Sequence, residues 1–206
     1  VLGADRLVGP VFSRDLRLAV REREVRFPVF EGGFAAVEAE VVFRLGIDPP
    51  VDRPAVDALQ ALRWVDAVFA GVETAGSPME AINRLGSTAV VSDFGNNRGL
   101  IVGPRIAGPG DIEAPLSCTT VIEGIEVGRA ELRDGLQRPA EALAFALNLS
   151  ARRRWPMRRG DYITTGALTG IHDIRAGQLA VVVFDGHERI VCRAARDPAR
   201  NPQGPA

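Results

Sequence analysis

The sequence predicts a mostly β domain with a few helices, an α+β chain in which strands well outnumber helices. Short apolar runs rich in Val, Ile, Ala and Phe recur along it, several of them alternating with polar residues. Gly, Pro, Asn and Asp punctuate the gaps between these runs, and one long stretch, residues 139–149, carries a helical period.

At 206 residues the chain suits a single domain, placed at residues 1–194, followed by a tail at 195–206 whose Pro, Asn and Gly content predicts disorder. That length buries a core without cross-links. Hydrophobic residues at 46%, charged residues at 25% and a formal net charge of -1 describe a globular protein and argue against a general nucleic-acid binder. All 25 basic residues are Arg, so no lysine can form a Schiff base or act as a general base. Cys118 and Cys192 stand far apart with no metal-ligand spacing around them, which suits a reducing compartment. With no secretory signal pattern and no apolar run of about 20 residues, the expectation is a cytoplasmic protein that does not enter a membrane. The sequence opens on Val1 rather than Met, which reads as a trimmed, processed or incomplete N-terminus.

Residues 1–15 are broken by Gly and Pro and predict loop with a short strand or turn. The alternation of Leu16, Leu18 and Val20 predicts one strand within 15–26 with a charged outer face. Residues 36–45 form the strongest strand, ended by Asp48-Pro49-Pro50. Asp52 as N-cap and Pro54 in the first turn predict a helix through Leu62. An apolar strand follows at 64–72, with Glu73 at its end and a break over 75–78. A short helix is expected at 79–85, a strand over 89–91 leading into the polar turn of Asp93, Asn96 and Asn97, and another strand at 100–102. After a loop at 104–115, residues 117–122 and 125–131 predict a hairpin through Glu123-Gly124. The helix at 139–149 groups Ala142, Leu143, Phe145, Ala146 and Leu149 on one side and ends at Arg152-Arg153-Arg154, a cationic terminus favoured by the helix dipole. Strands at 162–165, 178–184 and 188–193 complete the domain, the last two joined at Asp185-Gly186.

Alternation fixes one feature of the strand at 36–45: Glu38 and Glu40 share a face, while Val37, Ala39, Val41 and Phe43 take the other. Two same-face carboxylates either lie on a solvated strand or, if buried, need positive charge between them. Glu73 and Asp93, each near a strand end, add further carboxylates on a rigid frame. Carboxylates with open positions suit Mg²⁺ or Mn²⁺, hard cations that prefer oxygen ligands. His172 and His187 both lie beside Gly turns and read as surface residues, and no nucleophile elbow, phosphate loop or dinucleotide fingerprint is present.

Together, Val37-Glu38-Ala39-Glu40, Val72-Glu73-Thr74-Ala75-Gly76-Ser77, Ser92-Asp93 and the stretch Gly160-Asp161-Tyr162-Ile163-Thr164-Thr165-Gly166-Ala167-Leu168-Thr169-Gly170 resemble the fumarylacetoacetate hydrolase superfamily. The branch is that of 2-keto-4-pentenoate hydratase and 4-oxalocrotonate decarboxylase. The order and rough spacing agree over most of residues 30–194, as do Leu136-Gln137-Arg138-Pro139 and Ala176-Gly177. The resemblance implies a mixed β-sandwich or β-roll and a homo-oligomer. It implies one divalent metal, Mg²⁺ or Mn²⁺, held by Glu38, Glu40 and Glu73, chelating the carboxylate and 2-oxo oxygens of a small oxo-acid. Asp93 and Asn96 would then orient substrate or water, and the turn Gly166-Ala167-Leu168 would supply backbone donors.

The implied activity is hydration of 2-hydroxypenta-2,4-dienoate in aromatic-compound catabolism. Decarboxylation of an enedioate, carbon–carbon hydrolysis and non-catalytic binding of an oxo-acid or partner are the alternatives. Three departures bear on them. Relatives carry an N-terminal segment with a Gly-x-Lys, and this chain has no Lys. Val8 stands where relatives carry an acid/base Asp. Phe94-Gly95-Asn96 follow Asp93 where relatives have Asn-Ala-Ser.

Overall fold

A computed structural model describes residues 6–19, 24–53, 55–108 and 110–197. Its strands are β1 (Leu16–Leu18), β2 (Glu24–Val29), β3 (Phe34–Leu45), β4 (Val65–Ser77), β5 (Asn97–Ala107), β6 (Leu116–Ile122), β7 (Ile125–Leu132), β8 (Tyr162–Thr164), β9 (His172–Asp173), β10 (Leu179–Phe184) and β11 (Ile190–Arg196). Three α-helices accompany them: α1 (Ala58–Ala61), α2 (Ser87–Ser92) and α3 (Gln137–Arg152). The mostly β class with few helices is the one the sequence predicts.

The strands form two mixed sheets. One has the order β1-β5-β4-β3-β8, with β9 also on β3; the other has the order β2-β11-β10-β6-β7. β1–β5 and β2–β11 are parallel pairs, and the rest are antiparallel. The main core takes one face of β3 (Val37, Ala39, Val41, Phe43) together with Phe27, Cys118, Phe184 and Ile190 from the second sheet and Leu143 and Leu147 from α3. The alternation expected along β3 is therefore realised, with the second face of the first sheet left for Glu38 and Glu40. That second face has its own small cluster of Val42, Leu100 and Val102, packed by Val11, Leu16, Phe69 and Tyr162. Both cysteines are buried and unpaired; burial pushes their thiols up to about 11 (Cys118) and about 12 (Cys192). Among the described residues no helix is long and apolar enough to cross a membrane.

Several elements differ from expectation. The strand expected over 15–26 is two: β1 joins the first sheet and β2 the second, with Val20 outside the described residues. The first helix is capped not by Asp52 but by Asp57, whose side chain accepts from the Gln60 N–H at 2.8 Å while Gln60 Oε1 accepts from the Asp57 N–H. Pro54 lies outside the described residues. β4 continues through Glu73 to Ser77, because Ala75, Gly76 and Ser77 stay paired with β3 instead of turning. The helix expected at 79–85 is a 3-10 turn at Ile82–Leu85.

Residues 89–91 are helical, within α2, rather than a strand: three apolar residues are too few to set a period, and α2 buries none of its residues. β5 runs on to Ala107, into the expected loop. On α3 the buried stripe is Ala140, Leu143, Ala144, Ala146 and Leu147, with Ala142, Phe145 and Leu149 only half-buried. β11 extends through Arg196, two residues beyond the expected domain end, and 198–206 lie outside the described residues.

Candidate metal centre

The β3–β4 register places Glu38 directly opposite Glu73 and Glu40 opposite Gly71. Directly opposed residues of an antiparallel pair share a face, so Glu38, Glu40 and Glu73 converge on the second face of the first sheet. Like charges directly opposed are unfavourable, and these three also lie in poorly solvated surroundings. Glu40 is 1% exposed, while Glu38 and Glu73 are half-buried. Burial and then the facing Glu73 raise the Glu38 carboxyl to about 8. Burial, followed by Glu73 and Glu38, drives Glu40 well above the usual carboxylate range, against the opposing effect of two backbone N–H groups.

Those backbone donors belong to the segment that follows β8. The Thr165 and Gly166 N–H groups both donate to Glu40 Oε2 at 2.8 Å, and the Thr165 hydroxyl donates to the Val41 carbonyl at 2.9 Å. One residue earlier, the Thr164 hydroxyl donates to Glu73 Oε2 at 3.2 Å. The other oxygen of Glu73, Oε1, accepts from Asn97 Nδ2 at 2.9 Å. Leu168 ties the turn back to β3 through its N–H and the Ala39 carbonyl at 2.9 Å. The Gly166 and Leu168 N–H groups are thus engaged with β3 and its Glu40, and Ala167 lies between them.

Asp93 ends α2, its N–H donating to the Ala89 and Val90 carbonyls. Asn96 follows in a 3-10 turn with φ +61° and donates from Nδ2 to Asn83 Oδ1 at 2.8 Å. Asp93 Oδ2 and Asn96 Oδ1 are buried acceptors without a hydrogen-bond partner among the described residues. Val8, at the position of the expected acid/base residue, packs its half-buried side chain against the main core. The surface hollow of about 220 Å³ between Leu116, Ser117, Glu131 and Arg133 lies on the second sheet, apart from the glutamates of the first.

Neither a family model nor a curated protein matches the sequence. Solved structures do match. The 4-oxalocrotonate decarboxylase from Pseudomonas putida G7, complexed with magnesium and adipate, aligns at TM-score 0.70 and 20% identity over 88% of this chain and 66% of that one. The chain has its fold. A fumarylpyruvate hydrolase from Pseudomonas aeruginosa, in complex with Mn²⁺ and pyruvate, aligns at TM-score 0.62 and 16% identity, over 88% of this chain and 74% of that one. The 2-hydroxyhepta-2,4-diene-1,7-dioate isomerase from Mycobacterium marinum gives 0.66 and 16%, over 96% and 71%. All three belong to the fumarylacetoacetate hydrolase superfamily, so the fold is the one the resemblance implied. The chain spans about two thirds of the decarboxylase's length.

Within this fold, three residues hold the glutamates without having been assigned a role from sequence: Asn97, Thr164 and Thr165. Their signal was their membership of the polar turn after Asp93 and of the Gly160–Gly170 stretch, but nothing in spacing says which carboxylate each reaches. As a cation site the donor set fits by chemistry, being all oxygen, mutually repulsive and partly dry. Among the described residues no group of three or more His, Cys, Asp or Glu side chains is placed so that it could hold a metal ion. Both oxygens of Glu73 and Oε2 of Glu40 accept from neutral donors of the chain, which hold these carboxylates in place without cancelling their charge.

Proposed function

We propose that this chain is a divalent-cation-dependent enzyme acting on a small 2-oxo or enolised acid. The activity it most resembles is that of 2-keto-4-pentenoate hydratase, the addition of water to 2-hydroxypenta-2,4-dienoate. The observation that carries the reading is the register pair Glu38–Glu73 with Glu40 beside it on the same partly buried face. Burial and the neighbouring carboxylates raise the proton affinity of Glu38 and Glu40, and Mg²⁺ or Mn²⁺ would replace the protons. Glu38, Glu40 and Glu73 would hold that ion, which when bound acts as a Lewis acid on the carboxylate and 2-oxo oxygens of the substrate.

The remaining roles belong to the chain itself. The Thr165 and Gly166 N–H groups fix one oxygen of Glu40, and Asn97 and Thr164 fix Glu73. Asp93 and Asn96 offer buried acceptors with open lone pairs, suited to orient the hydrogens of a water or an enol hydroxyl. In the turn Gly166-Ala167-Leu168, the Ala167 N–H would be the donor directed at substrate, since its neighbours bind β3.

Titration calorimetry with Mn²⁺ tests the site. Glu40→Ala should abolish specific binding while circular dichroism stays native, and an unchanged affinity would sink the assignment. Metal-dependent loss of 2-hydroxypenta-2,4-dienoate absorbance tests the reaction. Val8, half-buried against the core where an acid/base Asp was expected, favours a second reading in which the fold binds an oxo-acid or partner without turnover. Rapid hydration would defeat it, whereas CO2 release from an enedioate would move the chain to the decarboxylases. A homo-oligomer belongs to the same proposal, and light scattering that gives a monomer mass removes it.

A further inference from the structure

β4 and β5 do not keep step beside the site. Glu73 pairs with Leu100, but Ala75 pairs with Asn97, so two steps along β4 face three along β5. Residues three apart on a regular strand point to opposite faces. The extra residue in β5 is a bulge at Arg98–Gly99, and bulges of this kind re-aim a side chain. Here Asn97 reaches the face of Leu100 and Glu73, where its Nδ2 donates to Glu73 Oε1 at 2.9 Å.

The bulge is specified by the chain at two points. Gly99 has φ +141°, and a Cβ there would lie 2.5 Å from the Asp15 carbonyl oxygen. Asn97 Oδ1 accepts from the Gly99 N–H at 3.1 Å, so the Asn97 amide spans from the bulge to the carboxylate with both its ends bound. A neutral donor orients a carboxylate without cancelling its charge, which a facing Arg would do.

We infer that Asn97 is a positioning residue for the cation site: the bulge aims its amide at Glu73, fixing that carboxylate's rotamer and leaving its charge for the cation. This rests on the reading of Glu38, Glu40 and Glu73 as ligands. Asn97→Ser is the variant of choice, because a serine hydroxyl can still accept from the Gly99 N–H and keep the bulge, but is too short to reach Glu73.

Mn²⁺ titrations of the full chain are compared for wild type, Asn97→Ser, Glu73→Ala and the double variant. Affinity should fall about tenfold in Asn97→Ser and change less than about twofold when Glu73 is already Ala. An unchanged affinity in Asn97→Ser, or the same loss in both backgrounds, overturns the inference. A second measurement needs no metal. The Asn97 side-chain amide resonances of the metal-free protein should move on Glu73→Ala, and stationary resonances overturn the positioning role. If wild type binds no Mn²⁺, the ligand reading alone fails and these resonances decide the Asn97–Glu73 contact.

Discussion

Gly71 faces Glu40 across the β3–β4 ladder, and the lack of a side chain there shapes the site as much as the carboxylates do. A Cβ on Gly71 would lie 2.3 Å from Val42 Cγ2, so any larger residue must displace Val42, two positions from Glu40 on the same face. Overpacking of this sort costs about 1–3 kcal/mol. Gly71→Ala should therefore lower the urea midpoint by a corresponding amount, and a variant as stable as wild type would show that Val42 yields freely. At this scale the sequence was readable where alternation alone decides. Glu38 and Glu40 had to share a face, and their shared face is the one opposite the main core. It was silent where a contact depends on register. That Glu38 meets Glu73, that Glu40 meets a glycine, and that Asn97 rather than Asn96 reaches Glu73 all follow from pairings between distant strands.

At the scale of elements, long periodic segments were legible and short apolar runs were not. β3, the β6–β7 hairpin and α3 lie close to where their patterns put them. α2 misled because Ala89, Val90 and Val91 read as strand while no sheet edge takes them up. β4 outran its expected end because pairing with β3 overrides the local turn tendency of Ala75-Gly76-Ser77. The first helix shows how a cap is chosen. Both Asp52 and Asp57 could serve, but only Asp57 has Gln60 three residues on to complete the reciprocal bonds. The helix also sits against α3, with Asn148 Nδ2 donating to the Val56 carbonyl at 2.8 Å and Asn148 Oδ1 accepting from the Val56 N–H at 3.0 Å. Asp57→Ala should cost about 1 kcal/mol of folding free energy, whereas Asp52→Ala should stay within about 0.5 kcal/mol. Equal losses in chemical denaturation would return the cap to Asp52.

At the scale of the whole molecule, the glutamate face couples folding to pH and to cations. The Glu38 carboxyl is raised from 4.5 to about 8 by burial and by Glu73, and Glu40 is displaced in the same direction. A carboxyl raised on folding holds its proton in the native state while the unfolded chain has already lost it. Through Glu38 the native protein binds more protons than the unfolded protein between pH 4.5 and about 8, so stability falls as pH rises through that window, and Glu40 adds to the fall in the same direction. Each pKa unit corresponds to about 1.4 kcal/mol. The ion-paired carboxylates Glu24, Asp66 and Glu126 are shifted the opposite way by their Arg partners, so their contribution is complete above the unfolded values and does not mask the trend. A cation bound only to the folded state adds about 2.7 kcal/mol at a hundred times its Kd, and protons compete with it for the same oxygens. In chelator, Tm should therefore drop from about pH 5 to about pH 8, by about 2–4 °C per kcal/mol for a chain of this size. Excess Mn²⁺ should restore Tm near pH 8 and change it little near pH 5. A metal-free Tm that is flat or rising over that interval would mean that the three carboxylates are hydrated and independent. A Mn²⁺ effect equal at both pH values would place the ion away from them.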